Sequence, residues 1–186
     1  KAADRQAKAA DRQQKAGGRT KAAGQKQNRQ DRAGQYVDKR QDNQEKNGRG
    51  RVMSVDHDPG WLERTERLVK GHGLTEQVTL VHAGLTAVEV NGKCWTWYDL
   101  EALRLSAQID LLVVDGPPIT TGPLARYPAL PVLSPHLAQR AVVMVDDADR
   151  PDEQEIVTNW LREFPDFVAA HPETEKGCAV VQRRDE

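Results

Sequence analysis

The pattern of apolar and polar positions divides this chain near residue 50. Residues 1–50 contain no Leu, Ile, Met, Phe or Trp, and Tyr36 and Val37 are their only large apolar side chains. From residue 51 onward apolar residues recur with strand and helix periods in alternation. "RVMSV" (residues 51–55) reads as a strand. Trp61, Leu62, Thr65, Leu68, Val69 and His72 then follow at helical spacing, with Pro59 in the first turn and Gly71 and Gly73 at the end. "QVTLVH" (residues 77–82) predicts the next strand. "IDLLVVDG" (residues 109–116) is a nearly continuous apolar run of the kind buried on both faces of a parallel sheet, and "RAVVMVDD" (residues 140–147) is another. The six prolines in "PPITTGPLARYPALPVLSPHLAQ" predict a loop leading into a broken helix. Pro151 opens a helix whose apolar face is Ile156, Val157, Trp160, Leu161 and Phe164, and "FVAAH" and "CAVVQR" read as two closing strands. The order strand, helix, strand, strand, helix, strand, helix, strand, strand predicts an α/β fold, an open and mostly parallel sheet with flanking helices. Ligands of such folds bind at the carboxyl ends of the strands.

Charge sharpens the division. The first fifty residues carry 14 Lys+Arg against 6 Asp+Glu, so of the totals of 27 and 28 the remainder holds 13 against 22: a tail of net +8 precedes a domain of net -9. A tail so poor in apolar side chains cannot offset its conformational entropy by burial, so residues 1–48 are expected to be a basic low-complexity helix or disordered segment, and residues 49–186 the α/β domain. The repeat of "KAADRQ" at seven residues offers only alanine at the positions a coiled coil needs to be apolar. A basic arm touching nucleic acid is the alternative use of this tail.

Three predicted strands end in acid: Asp56, Asp115, and the pair Asp146 and Asp147. In a parallel sheet those ends share one edge, so the four carboxylates should converge. Helix capping accounts for Asp58 and Asp149, each just ahead of a proline-started helix, but leaves Asp115, followed by Gly-Pro-Pro, without a purpose. An acid at a strand end can accept hydrogen bonds from both hydroxyls of a ribose.

The segments "VMSVDHDPGWLERTERLVKGHGL", "VTLVHAGL", "IDLLVVDGPP" and "AVVMVDDADR" together resemble the class I S-adenosylmethionine-dependent methyltransferases, with a Rossmann-like fold, over most of residues 51–183. The resemblance implies that Asp56 holds the cofactor ribose with His57 beside the adenosine, that His82, Ala83 and Gly84 lie near the adenine, and that Asp115 lies close to the methyl donor and the substrate, as a cofactor-binding and catalytic residue. The usual acidic partner of the adenine is absent. A more pointed similarity, to the cation-dependent O-methyltransferases, implies a Mg²⁺ ion on Asp115, Asp146 and Asp147, with Asp-Asp in place of that group's Asp-Asn. O-methyl transfer from S-adenosylmethionine to a small hydroxylated acceptor follows.

The family's first strand and its Gly-rich turn should precede Arg51 by about 30 residues, where "QNRQDRAGQYVDKRQDNQEKNGRG" has no apolar strand and no G-x-G. In the family that strand sits between the second and the fourth, so a gap in the sheet is expected, and with it the alternative of a non-catalytic remnant or binding module with a basic arm. A chain opening on Lys1 is expected to be a fragment or processed form. A dinucleotide-dependent enzyme is disfavoured by the same missing turn. Trp95, Trp97 and Tyr98 read as an acceptor-pocket wall or as core packing. Cys94 and Cys178 lack metal or disulfide spacing, His136 and His171 lack a triad, and there is no G-x-S-x-G and no phosphate-binding loop. With no apolar run long enough to span a bilayer, a soluble cytoplasmic protein of unknown oligomeric state is expected.

Overall fold

The structure, a computed structural model, describes residues 50–105 and 108–184. The expectations for residues 1–48 lie outside the described residues. Contacts divide the described residues into two compact units, one of residues 50–52 and 63–79, the other of residues 53–62, 80–105 and 108–184.

Strand β1 (Val52–Asp56) leads into helix α1 (Pro59–Gly71). Asp58 caps that helix as expected, its Oδ1 accepting the N–H groups of Gly60 at 2.7 Å and Trp61 at 3.3 Å. The helix ends where Gly73 turns left-handed at φ 67° and the Leu74 N–H returns to the Val69 carbonyl at 2.9 Å, burying Leu74 against the last turn. Strand β2 (Val78–His82) pairs with β1 in a two-stranded sheet. The bonds Val52 N to Gln77 O and Ala83 N to Asp56 O advance in the same direction along both strands.

A hairpin follows, β3 (Leu85–Val90) and β4 (Lys93–Tyr98), which has no counterpart among the predicted strands. Its signal is in the sequence: two alternating runs around Asn91-Gly92, both at positive φ, 53° and 71°. The turn is fixed from within the larger unit, since Asn91 Nδ2 donates to Tyr127 Oη at 2.8 Å and to Glu163 Oε2 at 3.0 Å. Trp95 stacks on the Tyr127 ring at 4.6 Å between centroids. A short helix α2 (Leu100–Leu103), capped by Asp99, closes the hairpin.

The main sheet has the order β5 (Ile109–Val114), β6 (Leu137–Asp146), β8 (Cys178–Arg183), β7 (Phe167–Ala170). Its first pair is parallel and its last two are antiparallel, so this sheet is mixed rather than mostly parallel. The reason is local: β8 returns directly from β7 through residues 171–177 without a crossover helix. Helix α3 (Ala129–Leu133), flanked by two 3-10 turns, is the expected broken helix. Helix α4 (Pro151–Glu163) buries Ile156, Val157 and Trp160 in one core with Val143, Val145 and Val181 of the sheet. Burial of side chains this size stabilises by roughly 1.5–3 kcal/mol each. Asp149 does not cap this helix, contrary to expectation. Arg150 stands at the cap position with no side-chain cap bond.

Among the described residues β1 and β5 belong to different sheets, and no strand joins them.

Candidate active site

The parallel register that sets Val114 beside Val145 brings the residues just past those strands, Asp115 and Asp147, together with Asp146. One carboxylate oxygen from each of the three lies within 4.8 Å of the others. Asp147 is nearly buried and sits at φ 58°, a left-handed conformation that costs a non-glycine residue on the order of 1–2 kcal/mol. Surrounding contacts must therefore hold it.

Those contacts come from residues that were not singled out in the sequence. Arg126, only 4% exposed, donates through Nη2 to the Asp115 carbonyl at 3.1 Å and to Asp115 Oδ1 at 3.2 Å, and through Nη1 to the Asp146 carbonyl at 2.9 Å. Its Nη2 lies 3.8 Å from Asp147 Oδ2, and its Nη1 3.2 Å from Glu153 Oε1 on the first turn of α4. Arg150 adds a 2.8 Å pair to Asp147 and a 3.8 Å contact to Glu153. Glu153 is 1% exposed; burial raises its pKa, opposed by the two guanidinium groups. The Asp147-Arg150-Glu153 part was legible as charges three apart ahead of and within a helix. Arg126, inside a proline-rich loop, carried no such signal.

Asp115 itself keeps 55% of its side chain open to solvent. Desolvation at the crowded strand end pushes its pKa up to about 6, Arg126 pulling against the rise and Asp146 and Asp147 adding to it.

At the end of β1, Asp56 Oδ1 accepts the Asp58 N–H at 2.9 Å and lies 3.3 Å from His57 Nδ1. Asp56 Oδ2 has no partner among the described residues, so one carboxylate oxygen is available to a ligand's hydroxyls. His82 Nε2 contacts the His57 carbonyl at 3.0 Å. Ala83 is fully buried and its N–H bonds the Asp56 carbonyl at 3.0 Å, so it supports Asp56 from beneath.

Tyr98, at the end of β4, lies beside the second strand end, its hydroxyl against Gly116, the residue after Asp115. Its phenol is held well above its ordinary pKa by burial first and then by the charges of Asp56 and of Asp115, so it remains a neutral donor. Its ring lies 6.3 Å from that of His57. Of the three aromatics expected as pocket wall or core, Trp97 is buried and Trp95 packs on Tyr127, leaving Tyr98 at the acids. A groove of about 590 Å³ lined by Asp149, His171, Glu173 and Cys178, among others, borders the cluster through Cys178, the partner of Asp146 across β6 and β8. The strand-end carboxylates do not line it.

Three hard oxygen donors suit Mg²⁺ in kind, and ligand oxygens about 2.1 Å from such an ion stand roughly 3–4 Å apart. Two guanidinium groups stand at these donors and compete with a cation for them. Arg126 and Arg150 already occupy oxygens of Asp115 and Asp147.

A family model described as a methyltransferase domain matches residues 15–148. No curated protein matches the sequence. Among solved structures, a methyltransferase from Geobacter sulfurreducens is 20% identical at a TM-score of 0.51, over 73% of this chain and 59% of its own. An O-methyltransferase from Bacillus cereus in complex with SAH is 12% identical at 0.53, over 73% of this chain and 63% of its own. A structure titled putative rRNA-methylase from Clostridium thermocellum is 16% identical at 0.50, over 74% of each chain. The chain thus spans about three fifths of the length of the first two, and at these identities the likeness is one of fold.

Proposed function

This chain belongs to the methyltransferase domain family, and from that premise we propose that it transfers a methyl group from S-adenosylmethionine to the hydroxyl of a small acceptor. The observation that carries the reading is the placement of Tyr98, whose ring lies 6.3 Å from that of His57 and whose hydroxyl stands against Gly116, so that one side chain borders the two strand ends that carry Asp56 and Asp115.

When bound, the cofactor supplies an electrophilic methyl group on a sulfonium sulfur. Asp56 accepts hydrogen bonds from the ribose diol through its unengaged oxygen, with His57 beside the adenosine and Ala83 packed below. Asp115 takes the acceptor's hydroxyl proton. A carboxyl raised to about 6 is still ionised at neutral pH yet more basic than an ordinary aspartate, which suits general base work. Tyr98 stays protonated and serves as a donor and wall, not as a base. Because the guanidinium groups already hold Asp115 and Asp147, no step is assigned to a metal ion.

The test is transfer from methyl-labelled S-adenosylmethionine to a panel of phenols and aliphatic alcohols. Asp115→Asn is expected to lower transfer about 100-fold or more, the typical contribution of a general base, while S-adenosylhomocysteine still binds. An active Asp115→Asn enzyme would remove Asp115 from the chemistry.

A further inference from the structure

The strand-end cluster gathers four carboxylates, Asp115, Asp146, Asp147 and Glu153, around two guanidinium groups, Arg126 and Arg150. Arg126 is the more telling of the two. It is almost wholly buried, it ties the carboxyl ends of β5 and β6 through the carbonyls of Asp115 and Asp146, and it touches the side chains of Asp115 and Asp147 with the same nitrogen. Burying a guanidinium without compensation is costly, and Glu153, buried on α4, supplies the compensation. The pair is not saturated with hydrogen bonds, for Arg126 Nε and Glu153 Oε2 have no hydrogen-bond partner among the described residues. A group kept for stability alone would be better replaced by apolar packing of the same volume. Two residues in left-handed backbone flank the network, Leu124 at φ 50° and Asp147 at φ 58°, and both are tied into it or beside it, Leu124 N–H by Asp152 at 3.0 Å and Asp147 by Arg150. Strained backbone held this way accompanies sites where geometry matters.

We propose that Arg126, seated on Glu153, is the resident counter-cation of the strand-end carboxylates, holding Asp115 and Asp147 as a divalent ion otherwise would, so that the site is set without a metal. Arg126 is then a positioning residue, acting on ligands only through Asp115 and Asp147. This inference does not depend on methyl transfer, since it concerns which cation the carboxylates take.

The experiment is a titration of the full chain with Mn²⁺ followed by electron paramagnetic resonance, with no cofactor or acceptor present, in wild type, Arg126→Met, Arg126→Lys and Arg150→Gln. Wild type and Arg126→Lys, which retain the charge, are expected to show no saturable binding below about 1 mM, the weak end of oxygen-donor sites. Arg126→Met is expected to bind Mn²⁺ at least about tenfold more tightly, because removal of a unit charge within 4 Å of two carboxylates leaves Asp115 without its guanidinium and Asp147 with Arg150 alone. Its thermal midpoint should fall and be partly restored by Mg²⁺. Should Arg126→Met not fold, Arg150→Gln, at a partly exposed position, reads the same competition at Asp147 and should also gain affinity. Saturable micromolar binding by wild type, or variants that bind no more tightly than wild type, would overturn the proposal.

Discussion

The hydroxyl of Tyr98 occupies the space beside Gly116 that a β-carbon there would take. The Tyr98 phenol of hairpin β3-β4 thus reaches the turn after β5, and Gly116 is required by that approach, not by its own backbone angles. Gly116→Ala is expected to cost about 1–3 kcal/mol by overpacking. In a Tyr98→Phe background the oxygen is gone and the next atom, the ring carbon that bore it, is 3.4 Å away. There the same substitution should cost at least about 1 kcal/mol less. A cycle of urea midpoints over the four variants measures this, and strictly additive costs would show that the two residues do not meet.

The Arg126-Glu153 pair makes a different prediction. Glu153→Leu leaves Arg126 buried with its innermost partner gone, which should cost about 3–5 kcal/mol. Adding Arg126→Met should recover most of that loss, since a buried ion pair replaced by apolar groups of similar volume is often neutral in stability. Denaturant unfolding of the single and double variants checks the sign; a double variant worse than Glu153→Leu would contradict it.

Asp115 should leave a signature in pH dependence. Its folded pKa, about 6, stands above its ordinary value of 3.8. The unfolded chain therefore loses this proton first as pH rises, and the stability that the neutral carboxyl contributes is fully present below about pH 4 and lost through about pH 6. Between pH 4 and 7 the thermal midpoint of wild type should fall relative to that of Asp115→Asn, which cannot ionise. Solvent access to the side chain keeps the effect modest. Parallel curves would mean that Asp115 titrates as an ordinary surface acid.

Much of this was legible in the sequence. β1, α1, β2, β5, β6, α4, β7 and β8 follow from apolar periods with proline and glycine at their ends, within a few residues of the observed bounds. Of the four acids expected to converge, Asp115, Asp146 and Asp147 do, as two apolar runs that both end in acid implied, and Asp56 is not in that group. The β3-β4 hairpin carried its turn signal, Asn91-Gly92, but two adjacent apolar pairs, Ala87-Val88 and Trp97-Tyr98, blur the alternation on either side of it. The antiparallel closing strands depended on a seven-residue connection too short for a crossover helix, a matter of loop length and not of composition. Arg126 was invisible for a deeper reason. A buried arginine is recognised by its partners, and those partners, Asp115, Asp146, Asp147 and Glu153, lie 11 to 27 positions away and meet it only after the sheet and α4 are packed.

Ligand binding at Asp56 tests the central claim most directly. The measurement is thermal unfolding of wild type and Asp56→Ala with and without S-adenosylhomocysteine in large excess. A ligand at about a hundredfold its dissociation constant adds roughly 2.7 kcal/mol of stability, enough to move the midpoint by several degrees. The account predicts that shift in wild type and none in Asp56→Ala, with cooperative unfolding retained in both. An equal shift in the two proteins, or a cooperative wild-type transition that the ligand leaves unmoved, would contradict it.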